Sequence, residues 1–172
     1  HGSQSAQDSQ GSNRSKCFSI DVSDSGSWDA LLTDIAPDVV VNCAGIVKQR
    51  DTTAVQMVNV NDLFPHLLDR WCEAHDALLI QFSTDCVFSG NKGDYKETDV
   101  AEPVDLYAKT KLLGELVDSK ALTLRTSFFG LERASSQGLV EWFLAQNNCQ
   151  INTYRGAIYS GLSTHAVARF VS

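Results

Sequence analysis

The sequence predicts an α/β fold, a parallel sheet with helices on both faces. Three observations lead there. Apolar runs of strand length alternate with segments of helical spacing along the chain. Val39-Val40-Val41 is a continuous apolar run, the pattern of a strand buried on both faces. The runs end in small and polar residues, Asn42-Cys43-Ala44-Gly45 and Ser83-Thr84-Asp85, at the positions where open parallel sheets place their ligands. Helices fed between successive strands require those strands to be parallel.

The elements follow in order. Residues 1–16 are polar and rich in Ser and Gln, and read as a flexible leader whose His1-Gly2-Ser3 resembles a tag remnant. Cys17-Phe18-Ser19-Ile20 reads as a short strand ending at Asp21-Val22. Gly26 to Ile35 is a helix, with Trp28, Leu31, Leu32 and Ile35 on one face, stopped by Pro37. After the Val39–Val41 strand, a helical region runs from Thr53 to His75. Leu78 to Phe82 is a second strand, delivering Ser83. Gly90 to Asp99 is a polar loop. A helix then carries Tyr107, Lys111, Leu112 and Leu116, and Leu122 to Arg125 is another strand. Gly138 to Gln146 reads as an amphipathic helix with Leu139, Phe143 and Leu144 inward. Ser163 reads as the N-cap of a last helix through Val171.

Composition narrows the function. The chain has 172 residues, 43% of them hydrophobic, enough for one domain with a core. Its 14 basic and 21 acidic residues give a formal charge of -7. No run of Lys and Arg supplies the basic face that nucleic acid or an anionic membrane surface requires. No apolar stretch reaches the roughly 20 residues of a membrane span. The five cysteines form no C-x-x-C pair and show no zinc spacing. They read as reduced thiols of a cytoplasmic protein, with Cys43 and Cys86 in the core.

Chemistry concentrates in Tyr107-Ala108-Lys109-Thr110-Lys111. Tyr107 and Lys111 are four apart on a helix and share a face. A phenol has an ordinary pKa near 10, and a fixed ammonium beside it would lower that value. The pair would then make a proton donor suited to reducing a carbonyl. Thr84, at a strand end, could bind the same carbonyl oxygen. Tyr and Lys at this spacing are also the pattern of a solvated helix face. The context of two strand-end motifs tips the reading toward a site.

The combination resembles a family. Asn42-x-Ala44-Gly45, Ser83-Thr84-Asp85-Cys86-Val87-Phe88-Ser89-Gly90, Tyr95-x-Glu97-x-Asp99 and Tyr107-Ala108-Lys109-Thr110-Lys111-Leu112-x-Gly114-Glu115 resemble extended short-chain dehydrogenase/reductases. Within that family they look like the dTDP-4-dehydrorhamnose reductase group of sugar-nucleotide reductases, and the likeness runs from about Phe18 to Val171. It implies a Rossmann-like parallel sheet lacking its first two strands, plus the beginning of a small substrate lobe. Residues 17–127 would form the partial dinucleotide-binding domain and residues 128–172 the lobe.

The same resemblance implies roles. Thr84, Tyr107 and Lys111 match the catalytic triad, and Lys111 also the ribose contact. Asp21 and Val22 match the pair beside adenine, and Ala44 and Gly45 the backbone against the cofactor, NADP or NAD. Asn59 matches a helix asparagine near the site, or is a helix-surface amide. Ser83, Ser127 and Phe128 fall beside the nicotinamide end. Lys48, Gln49 and Trp142 could touch a nucleotide-sugar substrate; a solvated face serves equally for Lys48 and Gln49, and a core position for Trp142. Ala108 stands where the family usually has glycine.

The front of the chain departs from the family, whose members open on a glycine-rich loop that holds pyrophosphate at a helix N-terminus. Gly2 and Gly11 lie in polar sequence and make poor substitutes. With the strand order 3-2-1-4-5-6, two strands are missing between Cys17–Ile20 and Val39–Cys43. Either those two segments pair directly, or another copy covers the Val39 edge as a homo-oligomer, or the sequence omits residues of a longer protein. Two functions therefore stand open: an NAD(P)H-dependent reductase of a keto-sugar nucleotide, or a truncated, non-catalytic relative used for binding or assembly.

Overall fold

The computed structural model describes residues 16–47, 51–131, 138–153, 155–156 and 158–172. Helix α1 (Ser25–Ile35) begins at Asp24, whose carboxylate accepts from the backbone N–H of Gly26, and ends at Ala36 in a left-handed conformation. Strand β1 (Val39–Asn42) follows. Helix α2 (Ala54–Val58) opens on a capping box in which Thr53 and Gln56 satisfy each other's backbone N–H groups. It passes through one π-helical turn, Asn59–Leu63, directly into α3 (Phe64–Ala74).

Strand β2 (Leu78–Phe82) leads to a short 3₁₀ turn at Asp85–Val87 and, after the loop, to α4 (Leu106–Leu113). Strands β3 (Leu122–Leu124) and β4 (Phe128–Phe129), helix α5 (Leu139–Leu144), strand β5 (Leu162–Ser163) and helix α6 (Thr164–Val171) complete the chain. Ser163 caps α6 as expected, its Oγ accepting from the N–H of Ala166.

The main sheet has the order β1-β2-β3 and is parallel throughout, with Val39 opposite Leu78 and Ile80 opposite Leu122. Strands β4 and β5 form a second, two-stranded parallel sheet. Parallel strands joined through helices make this a Rossmann-like α/β fold. Strand β2 lies at the centre, and Leu79, Ile80, Gln81 and Phe82 are all buried.

The core gathers where α1 and α3 meet the sheet. Phe64, Leu68, Trp71 and Cys72 recur at helical spacing on α3 and pack with Trp28 and Leu79. Trp28 meets Phe64 edge-on, with ring centroids 5.6 Å apart. Each such side chain stabilises the fold by about 1.5–3 kcal/mol. Under the 42-81 register the core also admits one polar pair: Asn42 Nδ2 donates to Gln81 Oε1 at 2.7 Å.

Several expectations are corrected. Cys17–Ile20 is not a strand; Phe18 and Ile20 are exposed and the segment pairs with no described strand, so direct pairing with β1 does not occur. Strand β1 is an edge, not a strand buried on both faces, and Val39 and Val41 are 48% and 41% exposed. Leu139, Phe143 and Leu144 of α5 are exposed, not inward. Trp142 on the same helix is exposed, not a core residue.

Candidate active site

The end of β2 positions the site. Beyond Phe82 the strand delivers Ser83 and Thr84, both 5% exposed. Thr84 caps the following 3₁₀ turn, with Oγ1 accepting from the Cys86 N–H at 3.2 Å. The end of β1 approaches in parallel, and Asn42 Oδ1 accepts from the Ala44 N–H at 3.0 Å, shaping the turn at Ala44-Gly45. Helix α4 packs across these two ends. Its N-cap is Asp105, whose Oδ1 accepts from the Ala108 N–H at 2.8 Å.

A cavity of about 320 Å³ lies between the strand ends and α4. Thr84, Tyr107 and Lys111 all line it, as do Ala44, Gly45, Ser83, Ser127 and Phe128. The residues come from three strand ends and one helix, so the fold brings together positions distant in sequence. Phe128 meets Phe82 edge-on at 6.2 Å. A larger cavity of about 580 Å³ lies beside β3. Its walls are mostly apolar, and its Glu115 and Arg125 are paired with each other, so the smaller cavity holds the groups able to transfer protons.

The electrostatics differ from the sequence expectation. Burial pushes the Tyr107 phenol up from its ordinary value, and this outweighs the hydrogen bond with Thr84 that favours the phenolate. Asp85, Asp105 and Cys86 push it further up. Lys111 is not among the groups acting on Tyr107, so the expected lowering by the ammonium is corrected. Instead Lys111 Nζ donates to the Phe82 carbonyl oxygen at 2.5 Å. Burial brings the lysine down to about 8, against the opposing pull of Glu115 and, more weakly, Cys43.

Other expected residues sort by position. Asp21 is exposed in a turn, its Oδ1 accepting from the Ser23 N–H, and does not line the cavity. Val22 packs against the core cluster that Ala44 also touches. Ser83 lines the cavity, but its hydroxyl is committed to Glu115 Oε1 at 2.6 Å. Cys43 and Cys86 line the cavity and are not core residues. Lys48 and Gln49 lie outside the described residues.

Asn59 does not line the cavity, and the asparagine that reaches toward it is Asn61, fully buried two residues later. Asn61 Oδ1 accepts from the Ile46 N–H at 2.8 Å, and Nδ2 donates to the Ile46 carbonyl at 2.9 Å and to Thr110 Oγ1 at 3.2 Å. It thereby ties the loop after β1 to the turn of α4 between Tyr107 and Lys111. The π-helical turn that begins at Asn59 carries an extra residue per turn and rotates Asn61 into this place. Two asparagines two apart on a helix could have flagged the ambiguity; the turn type could not be read from them.

Similar proteins match this geometry's sequence. The chain is 30% identical over 116 residues to a dTDP-4-dehydrorhamnose reductase of Aggregatibacter actinomycetemcomitans, covering 63% of this chain and 40% of that protein. It is 34% identical over 106 residues to methionine adenosyltransferase 2 subunit beta of Bos taurus, covering 59% of this chain and 31% of that protein. The chain thus spans less than half the length of these curated relatives. Among solved structures, the Bordetella bronchiseptica enzyme WbmG in complex with NAD and UDP shares the fold, with a TM-score of 0.72 at 16% identity over 90% of this chain and 51% of that one.

No helix among the described residues is long and apolar enough to cross a membrane. The sequence motifs at both strand ends, the parallel sheet that presents them and a match of residues 3–146 to the RmlD substrate binding domain model agree: the chain belongs to the RmlD substrate-binding domain family.

Proposed function

We propose that this chain carries the proton-transfer site of an NAD(P)H-dependent reductase acting on a keto-sugar nucleotide, like its dTDP-4-dehydrorhamnose reductase relative. One observation carries the reading: Thr84, Tyr107 and Lys111 line a single cavity at the C-terminal end of a parallel strand. The fit to the nicotinamide end of a cofactor rests on the cavity itself. Its 320 Å³ is at the lower end of small-molecule sites, which begin near about 300 Å³. Gly45 lies on its wall beside Asn61 and Lys111, and a Cβ there would make only ordinary contacts, 3.6 Å from Asn61 Oδ1 and 4.0 Å from Lys111 Nζ.

In this reading Ala44, Gly45, Ser127 and Phe128 would hold the nicotinamide end of NADP or NAD, with Lys111 on the ribose and Asp21 and Val22 toward adenine. When bound, the cofactor supplies the two-electron reduction of the carbonyl carbon. Tyr107, a neutral phenol at pH 7 whose pKa burial raises further, donates its proton to the oxygen as negative charge develops there. Thr84 orients that oxygen and then stabilises the phenolate left on Tyr107. Lys111, mostly protonated at neutral pH, contributes positive charge to the same cavity. Ser83 supports the wall through Glu115 rather than touching substrate.

The test is direct binding. NADPH and NADH are titrated while the unfolding midpoint is followed; ligand at about 100 times its Kd stabilises a fold by about 2.7 kcal/mol. No shift at millimolar concentrations of either cofactor would sink the reductase reading. A second reading has its own support, since a relative at 34% identity is named as a subunit, and β1 leaves apolar Val39 and Val41 on an open edge. In that reading the chain is a non-catalytic module for binding or assembly. It predicts association through β1 with no cofactor-dependent stabilisation.

A further inference from the structure

Three consecutive residues at the end of β2 each meet a different residue of α4 or of the segment just after it. Phe82 accepts from Lys111 Nζ through its carbonyl oxygen. Ser83 Oγ donates to Glu115 Oε1 at 2.6 Å. Thr84 lines the same cavity as Tyr107 and favours its phenolate. Tyr107 and Lys111 are four apart and lie along one face of α4, and Glu115 follows directly after the helix C-cap, Gly114. The first two belong to the proposed proton-transfer site; Glu115 has no part in it so far.

The Glu115 side chain is only 6% exposed, and a buried carboxylate persists only when its oxygens are bonded. Arg125 supplies a two-pronged partner, with Nε at 2.9 Å and 3.1 Å from Oε1 and Oε2 and Nη2 at 2.7 Å from Oε2. Arg125 is fixed in turn, since Nη1 donates to the Glu97 carbonyl at 3.2 Å and the guanidinium lies 5.2 Å over the Phe88 ring. Both carboxylate oxygens are therefore held in place, and this holding aims Oε1 at Ser83. The helix cannot slide along the strand end without breaking that arrangement. Gly114 presses the same point from the other side, where an added Cβ would stand 2.0 Å from the Asn61 carbonyl oxygen.

We propose that Glu115 is a positioning residue for the Thr84–Tyr107–Lys111 constellation: clamped by Arg125, its carboxylate locks Ser83, registers α4 against the end of β2 and serves as the counter-charge of the Lys111 ammonium. The functional meaning rests on the reductase reading above, while the electrostatic content stands without any cofactor. The charged and titratable groups acting on Lys111 are Glu115 from its own chain direction and Cys43 from the end of β1. Of these Glu115 is the larger, and it opposes the burial that favours the neutral amine. Removing its charge leaves only the weaker pull of Cys43 against burial, and the Lys111 value falls further.

The experiment follows the Lys111 Cε shift against pH in chain labelled with 13C-lysine, the resonance being assigned by its absence in Lys111→Arg. In the parent the lysine titrates near 8. In Glu115→Gln it titrates lower by about one unit or more. Glu115→Asp recovers part of the difference, because the charge returns on a shorter stem. Ser83→Ala, which leaves the carboxylate paired with Arg125, moves the titration by less than about 0.3 unit. If Glu115→Gln strands the partly buried guanidinium and fails to fold, Glu115→Gln with Arg125→Met removes both charges and reports the same quantity.

A folded charge-removed variant whose Lys111 titrates as in the parent overturns the proposal. So does a Ser83→Ala shift as large as that of Glu115→Gln, which would make the carboxylate a mere hydrogen-bond acceptor. NADPH titration of the same parent sample separates the two ideas: absence of binding overturns the reductase reading alone, and the lysine titration still decides the role of Glu115.

Discussion

Lys111 Nζ and the Phe82 carbonyl oxygen are 2.5 Å apart, and this contact sets the character of the site. It draws the ammonium to the strand end, where it is 5% exposed and no longer governs the Tyr107 phenol. Burial raises the pKa of the already neutral phenol and, by the same cause, brings the lysine toward neutrality. A neutral acid beside a cation of lowered pKa is a workable pair for protonating an alkoxide at neutral pH.

Stability should rise with pH between about 8 and 10.5 because of this lysine. Its folded value of about 8 lies below the ordinary 10.5, so in that window the unfolded chain binds the extra proton. Proton loss then favours the folded state, on the order of 3 kcal/mol across the full window. Tyr107 works in the opposite direction, since its raised value makes the folded state lose ground as pH passes 10. The comparison is therefore made at pH 7, 8.5 and 9.5 by urea unfolding of the parent and Lys111→Met. The parent gains on the variant over that range; a constant difference would refute the linkage.

Tyr107→Phe should abolish turnover and spare binding. The substitution removes one hydroxyl from a half-buried ring and leaves the cavity walls in place. A general acid typically contributes about 10²–10⁴-fold in rate. The expected result is a loss of that order in carbonyl reduction, with NADPH affinity within about twofold of the parent. A variant that binds and still turns over at the parent rate would move the proton donor elsewhere.

The contact between Asn61 and Gly114 should be among the most sensitive in the fold. Asn61→Ala leaves the Ile46 N–H and carbonyl without their amide partner, a loss of about 2–4 kcal/mol. Gly114→Ala forces a Cβ to within 2.0 Å of backbone, so the helix must shift; overpacking of this kind costs about 1–3 kcal/mol or more. The Cβ added at 114 meets the Asn61 backbone, which Asn61→Ala keeps, so the double variant should lose at least as much as Gly114→Ala alone. Urea midpoints of the three variants check this, and a double variant more stable than Gly114→Ala would contradict a backbone clash.

Elements with strong local patterns were legible in the sequence. The apolar run Leu78–Phe82, the helix carrying Tyr107 and Lys111 and the Ser163 cap appear where their periodicity and end residues put them. Patterns that needed a distant partner were not. Phe18 and Ile20 alternate like a strand but pair with no described strand, and the apolar side chains Leu139, Phe143 and Leu144 of α5 stay exposed. In the site, side-chain types were readable and their partners were not. A lysine drawn to a main-chain carbonyl leaves no mark in the spacing of side chains, and a π-helical turn exchanges Asn59 for Asn61 without altering composition. Cys43 and Cys86 were placed in the core because their neighbours are apolar, yet a strand end turns such residues toward the ligand side.

The open edge of β1 should drive self-association. Among the described residues β1 pairs with β2 alone, so its outer backbone groups form a template for another strand. Val39 and Val41, 48% and 41% exposed, add apolar surface to that edge. A charged side chain there is the common natural defence, because pairing would bring it against a second apolar strand. Sedimentation velocity of the parent should show weight-average mass rising with concentration, and Val41→Lys should shift the distribution to monomer. The substitution lies on an exposed position, so the unfolding free energy of the monomer should change by less than about 0.5 kcal/mol. Association that survives Val41→Lys unchanged would place the contact on another face, of which the exposed Leu139, Phe143 and Leu144 of α5 are the next to test.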